Sequence, residues 1–345
     1  MEEYTVKKQE NSASERQIFC LSGPSHLTAV DWNNFNHRRS VAASLVQGVY
    51  ILERDRQQNR RDAEAHAPAW WDSFGFRLIR PLVDDVDNSI FGAIYEFKSF
   101  TSEFNRSAQN APDYVVAFRG TINKSNTMSR DLKLDIRCVR NRLHETSRFQ
   151  LAMQAVQSII DVAGTSRIWL AGHSLGSAIS LLVGKNVTKM GYSVEAYLFN
   201  PPFSASIEMI KDGKLKDGIR ITTSIVKAGL AAAKGHHRSP QPDDPFMLLS
   251  KWVPNLLVNP ADPICSGYIG YFEHRKKMEE SRAGKFERIA TLNSLLKSNS
   301  EPLHLLLSAN LTINSSKSPD FKRAHGIHQW WDPTFDGRSE LHEYR

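Results

Sequence analysis

A mostly parallel α/β sheet with helices on both faces is the architecture this sequence predicts, and three observations predict it. Apolar runs rich in β-branched and aromatic residues recur at Tyr114–Phe118, Ile168–Ala171 and Val194–Phe199, as strands buried on both faces require. Between the first two, Phe149, Met153, Val156, Ile160 and Ala163 repeat at helical spacing up to Gly164. Third, Ile168–Ala171 runs into Gly172-His173-Ser174-Leu175-Gly176, after which Leu175, Ala178, Ile179, Leu182 and Val183 mark one face of a helix. Strand, glycine turn, helix and strand in succession build a parallel sheet with crossover connections.

The glycine turn carries the chemistry. G-x-S-x-G between a strand and a helix predicts a nucleophile elbow: a turn so tight that its serine is strained and its flanking positions exclude side chains. The Ser174 hydroxyl then projects at a helix N-terminus, where unpaired N–H groups and the dipole favour a developing oxyanion.

The remaining elements follow in order. Residues 1–17 are polar and predict a mobile N-terminal tail, with 18–345 as a single domain. Val41, Leu45, Val49 and Leu52 form a helical stripe that Ser40 would cap. Gln57–Pro68 reads as a charged loop, Trp70-Trp71 and Phe74–Leu78 resume an apolar pattern, and Ile90–Phe97 reads as a strand. Ser99–Pro112 is a polar loop before Tyr114–Phe118, which stops at Arg119-Gly120-Thr121; a glycine and a hydroxyl residue at the carboxyl end of a strand mark an oxyanion-hole loop. Gly191 ends the elbow helix, and Pro201-Pro202 breaks the chain after Val194–Phe199. Ser224–Lys234 reads as a helix, His236–Pro245 as a turn-rich loop, and Val253–Val258 as a strand with Pro254 at its start. Residues 273–300 are charged and helical in part, Leu303–Leu307 is a short apolar run, and Asn314–Ser318 a polar loop.

Composition excludes several classes. The chain of 345 residues is 41% hydrophobic, enough for a sizeable core. Cys20, Cys138 and Cys265 stand at no metal-ligand spacing; they predict free thiols in a reducing compartment, hence a cytoplasmic location. No signal-peptide core and no membrane-spanning run is present. The net charge of +7 is dispersed, and its clusters Arg60-Arg61 and Lys276-Lys277 sit beside acids, which describes a solvated face. The functional counterpart of that charge is a weak peripheral contact with an anionic membrane surface. No zinc-finger or RNA-binding signature accompanies it, so nucleic acid is not expected as a partner.

Serine is a weak nucleophile without a base, and in this type of sheet the order along the chain is Ser, acid, His. Asp262 follows the strand ending at Val258, between Pro260 and Pro263, whereas Asp243 and Asp244 follow no clear strand. The histidines after Asp262 are His274 in a charged run, His304 beside an apolar run, His325, His328, and His342 near the chain's end. His325 precedes the apolar face Ile327-Trp330-Trp331, where a loop enters a helix, and is the preferred base. His328, sharing that helix face, and His304 stay as alternatives. An H-x-x-H pair lacks a third ligand, so no metal and no cofactor are expected.

Val116-Ala117-Phe118-Arg119-Gly120-Thr121, followed by Gly172-His173-Ser174-Leu175-Gly176, resembles the class 3 (fungal-type) lipase family of α/β-hydrolases. More closely, the chain resembles a plant branch often labelled GDSL esterase/lipase, although no Gly-Asp-Ser-Leu occurs in it. Asp131–Asp135 is similar to the family's acidic segment, and Phe199-Asn200-Pro201-Pro202 stands where the family has Phe-Gly-x-Pro-Arg. Asp262-Pro263 is similar to its acid site, and Ala324-His325-Gly326-Ile327 to its Cys-His-x-Leu. The resemblance spans roughly residues 85 to 335. It implies an α/β-hydrolase fold and backbone N–H groups of Thr121 and Leu175 as the oxyanion hole. It departs from the family at Ile122–Arg130, which is almost wholly polar where many members carry an amphipathic lid; the long segment 204–250 is the other candidate cover.

The function expected from these residues is cleavage of carboxylic esters of acyl lipids or smaller acyl esters, with Ser174 as nucleophile, His325 as base and Asp262 as its orienting acid. Two alternatives share the architecture: a lipase-like signalling scaffold that needs no hydrolysis, and an acyltransferase using the same triad.

Overall fold

The computed structural model describes residues 19, 22–98, 110–122, 143–164, 167–203, 245–280 and 305–344. The tail 1–17, most of the loop 99–112, the segment 123–142 with its acidic run, the Ser224–Lys234 helix, Asp243, Asp244, His304, Cys20 and Cys138 lie outside them.

One sheet of eight strands runs in sequence order: β1 (Phe76–Val83), β2 (Ile90–Phe97), β3 (Tyr114–Phe118), β4 (Ile168–His173), β5 (Glu195–Phe199), β6 (Asn255–Val258), β7 (Ala309–Asn314) and β8 (Gly337–His342). Strands β3 to β7 are parallel; β1, β2 and β8 pair antiparallel at the flanks. The expected α/β-hydrolase architecture, a largely parallel sheet with helices packed against it, is therefore present.

The central strands read as unbroken apolar runs because both faces are covered. Val116, Phe118, Ile168, Leu170, Ala196 and Leu198 join one core cluster, while their neighbours Val115, Ala117, Trp169, Ala171, Tyr197 and Phe199 join the other. This is the two-residue alternation of a strand sorted onto two cores. The first core is closed by α2 (Ser147–Ala163), α3 (Leu175–Lys189) and α5 (Gly267–Glu280). The second lies under α1 (Phe35–Gln57) and a 3₁₀ turn at Ile327–Trp331. Two short helices, α4 (Pro245–Lys251) and α6 (Phe321–His325), precede β6 and the 3₁₀ turn respectively.

Local chemistry sets the ends. The Thr146 side chain caps α2 by accepting from the Phe149 N–H, and Gly164 ends it at φ +69°. Asp320 caps α6 through the Arg323 N–H. Ser40 is not the cap of α1: it is buried inside the helix, which starts earlier because Asn34 accepts from the Asn36 N–H.

The Trp70–Leu78 pattern resolves into a 3₁₀ turn, Trp70–Phe74, and the start of edge strand β1. His342 does not sit in a loose tail; it belongs to β8 and stacks on Phe272 with ring centroids 4.6 Å apart.

Candidate active site

The elbow has the geometry its residue types require. Ser174 lies between β4 and α3 at φ +55°, ψ −121°, a conformation that a residue with a Cβ rarely adopts. Its N–H donates to the Phe199 carbonyl, 3.0 Å away, tying the turn to β5. A Cβ on Gly172 would overlap the Gly176 backbone, and one on Gly176 would overlap the Phe118 backbone. Glycine is thus required at both positions by the close approach of α3 to β3 and β4. The Ser174 Oγ is buried and makes no hydrogen bond among the described residues.

The segment Arg119-Gly120-Thr121 leaves β3 directly beside the serine. A Cβ on Gly120 would stand 2.8 Å from that of Ser174. Arg119 is buried; its Nε donates to the Ile90 carbonyl at 2.6 Å and its guanidinium donates to the Gly120 carbonyl at 2.7 Å. In a trans peptide the Thr121 N–H points opposite to that carbonyl, so Arg119 fixes the direction of the donor assigned to Thr121. Leu175 is the first residue of α3 and carries one of the helix's initial N–H groups.

Asp262 and His325 meet although they come from separate segments. His325 Nδ1 donates to Asp262 Oδ2 at 2.8 Å, with the acid wholly buried and the histidine nearly so. Asp262 terminates a turn after β6 that Asn259 organises: its Oδ1 accepts from the Ala261 N–H at 2.8 Å, and its carbonyl accepts from the Asp262 N–H at 3.0 Å. Asp262 Oδ2 also accepts from Asn200 Nδ2 at 2.8 Å and from the Cys265 thiol at 3.3 Å, while Oδ1 accepts from the Ile264 N–H at 3.0 Å. Burial pushes this carboxyl up, but the hydrogen bond and charge of His325, the Ile264 N–H and the Asn200 amide outweigh it and hold the carboxyl below its ordinary value. Burial and the neighbouring Asp262 charge push the Cys265 thiol well up, so it stays a protonated donor.

His325 ends α6 instead of lying in a loop ahead of a helix. Its ring stacks on Phe321 at 5.4 Å and stands 4.9 Å from the ring of His173, the residue before the serine. His328 does not share its surroundings. It lies in the 3₁₀ turn, packs on Trp331, and lines a separate cleft with Gln47, Arg54, Arg60 and His66.

His173 joins these pieces. Its Nε2 lies 2.7 Å from the His325 carbonyl, which only accepts, so Nε2 carries the proton. Nδ1 then accepts from the Tyr50 hydroxyl at 2.8 Å, and that hydroxyl accepts the Gly120 N–H at 2.7 Å. Burial lowers His173 to about 3 and raises Tyr50 to about 12, so both stay neutral. A hydrogen-bonded line therefore runs from the loop beside Ser174, through α1, to the backbone of His325.

Sequence reading brought out Ser174, Asp262, His325, Thr121 and Leu175 but passed over Tyr50, Asn200 and Cys265 as site neighbours. The one signal for Asn200 was its place in a turn where the resembled family has glycine.

The chain is a carboxylic ester hydrolase, and it belongs to the plant class 3 lipase-like family. Residues 104–224 match the family model of Lipase (class 3), a stretch with the oxyanion loop and the elbow that stops short of Asp262 and His325. Over 347 aligned positions the chain is 52% identical to "GDSL esterase/lipase At4g10955" of Arabidopsis thaliana, covering 96% of this chain and 99% of that protein. The crystal structure of a lipase from Rhizopus microsporus var. chinensis aligns over 46% of this chain and 56% of its own, at 16% identity and a TM-score of 0.26. That value leaves the fold assignment to the sheet itself. Among the described residues no helix is long and apolar enough to cross a membrane.

Proposed function

We propose that the chain hydrolyses carboxylic esters of acyl lipids or smaller acyl esters through an acyl-enzyme on Ser174. Ser174 Oγ attacks the ester carbonyl as His325 Nε2 takes its proton. The tetrahedral oxyanion is held by the N–H groups of Thr121 and Leu175, each such donor contributing on the order of 10²–10³ in rate. His325 returns the proton to the departing alcohol, then activates water to release the acid, while Asp262 keeps Nδ1 protonated and stabilises the imidazolium.

The observation that carries this reading is the buried Asp262–His325 hydrogen bond beside a serine held at positive φ.

A fluorophosphonate probe tests it. The wild-type chain is expected to label on Ser174 and Ser174→Ala to remain unlabelled, with the adduct placed by mass spectrometry. A folded wild-type chain that stays inert to the probe overturns the proposal.

A further inference from the structure

Asn200 touches the acid, the segment carrying the base and strand β6. It follows β5 directly, is fully buried, and sits at φ +47°, in the left-handed region. Glycine enters that region freely; among other residues asparagine tolerates it best, though still at a cost. Pro201 restricts the same backbone further.

Its side chain explains the departure from glycine. Nδ2 donates to Asp262 Oδ2 at 2.8 Å and to the Ala324 carbonyl at 3.0 Å, while Oδ1 accepts from Trp330 Nε1 at 2.7 Å. The orientation of the amide is forced, since an indole N–H only donates whereas a carboxylate and a carbonyl only accept. The backbone N–H of Asn200 donates to the Leu257 carbonyl at 2.9 Å, fixing it to β6. Ala324 immediately precedes His325, so a single amide holds the acid from one side and the base-bearing segment from the other. Aspartate would set lone pairs against both acceptors, and glycine would leave both without this donor.

We propose that Asn200 is a positioning residue for the hydrolytic reaction: it clamps Asp262 to the end of α6 and so fixes the acid–base geometry, in place of the glycine seen in the resembled family. The inference rests on the Ser174–His325–Asp262 reading. The Asn200 side-chain amide, through Nδ2–H, also shares the charge of Asp262, so without it more of that charge acts on His325, and the protonated imidazole is favoured.

Of the other groups near His325, His173 is held neutral by burial, Tyr50 lies behind it, burial lowers His328 to about 4, and the Cys265 thiol stays protonated against Asp262. Lys322 and Arg323 on α6 face solvent, and Phe321 is apolar.

The test uses the full chain with Asn200→Gly and Asn200→Asp, reading kcat, KM and the pH–rate profile on p-nitrophenyl butyrate, with thermal melting as the check on folding. Asn200→Gly, which relieves the backbone, is expected to fold and to lose about 10–100-fold in kcat with KM little changed, as for a lost hydrogen bond to a charged group. The acid limb of its profile moves to higher pH. Asn200→Asp moves that limb further, because it adds a carboxylate.

A folded Asn200→Gly with wild-type kcat and an unmoved acid limb overturns the inference. Should Asn200→Gly fail to fold, Asn200→Asp decides: an upward limb supports the clamp, and an unmoved one overturns it. Ser174→Ala separates the two levels. Full turnover in that variant withdraws the triad and the clamp together, whereas Ser174-dependent turnover with an unaltered Asn200→Gly removes the clamp alone.

Discussion

Ser174→Ala is expected to abolish ester turnover, lowering kcat by on the order of 10⁵–10⁶ while leaving the fold intact. The loss is large because the hydroxyl is the attacking group itself, and the nearby Tyr50 and Ser177 hydroxyls are already engaged with backbone groups. The structural cost is small because the buried Oγ makes no hydrogen bond among the described residues, so its removal leaves no partner unsatisfied there. Alanine keeps the strain at φ +55°, which any Cβ experiences. Ser174→Gly is therefore expected to be equally inactive yet more stable than the alanine variant, by about 1–3 kcal/mol. Turnover of a p-nitrophenyl ester and urea denaturation of both variants check the two halves. Retained turnover, or an alanine variant that melts far below wild type, contradicts the account.

The second large effect is expected at Asp262→Asn. Both carboxylate oxygens accept: Oδ2 from His325, Asn200 and Cys265, and Oδ1 from the Ile264 N–H. An amide has only one accepting end, so in either orientation its NH₂ meets a donor. Facing His325, that NH₂ would favour the imidazole tautomer with its proton on Nε2, which cannot receive the serine's proton. We expect a loss on the order of 10³–10⁴ in kcat and about 1–3 kcal/mol of stability at neutral pH.

The stability difference has a defined pH dependence. The Asp262 carboxyl is held below its ordinary value, so its contribution is complete above the unfolded value of about 3.9 and is lost as pH falls through the lower folded value. The gap between wild type and Asp262→Asn should therefore be widest near neutrality and narrow in acid. Urea unfolding at pH 7 and below pH 4 measures it; a gap that widens in acid contradicts the assignment.

How much of this was legible without coordinates depended on where each signal lay. The strands β3, β4 and β5 and the elbow were readable because burial on both faces enforces unbroken apolar runs, and close helix approach enforces glycine at 172 and 176. Strand β8, Gly-Arg-Ser-Glu-Leu-His, was missed because it is an edge strand with little burial to pattern it. Strand β7 was missed although Ala-Asn-Leu-Thr-Ile-Asn alternates as a strand does, because Asn310 and Asn314 are residues that favour turns.

Asp262 and His325 were reachable through chain order and strand ends. The family model ends at residue 224 and offers nothing there. Asn200 and Tyr50 were not reachable, since their partners lie 62 and 124 positions away for the former and 70 and 123 for the latter. Those contacts exist only once the sheet brings its strand ends together.

The long first helix has a bearing on how this enzyme can be divided. Arg39 donates to the Trp330 carbonyl at 2.8 Å, and Tyr50, three turns further along, holds both Gly120 and His173. Arg39, Tyr50 and Trp330 all fall outside residues 104–224 that match the family model. A fragment cut to that match would keep Ser174 and its glycines yet forfeit Tyr50, which braces the loop at Gly120, as well as Asp262 and His325. A unit that keeps these contacts therefore extends from α1 to at least Trp330, well beyond the boundaries of the recognisable motif.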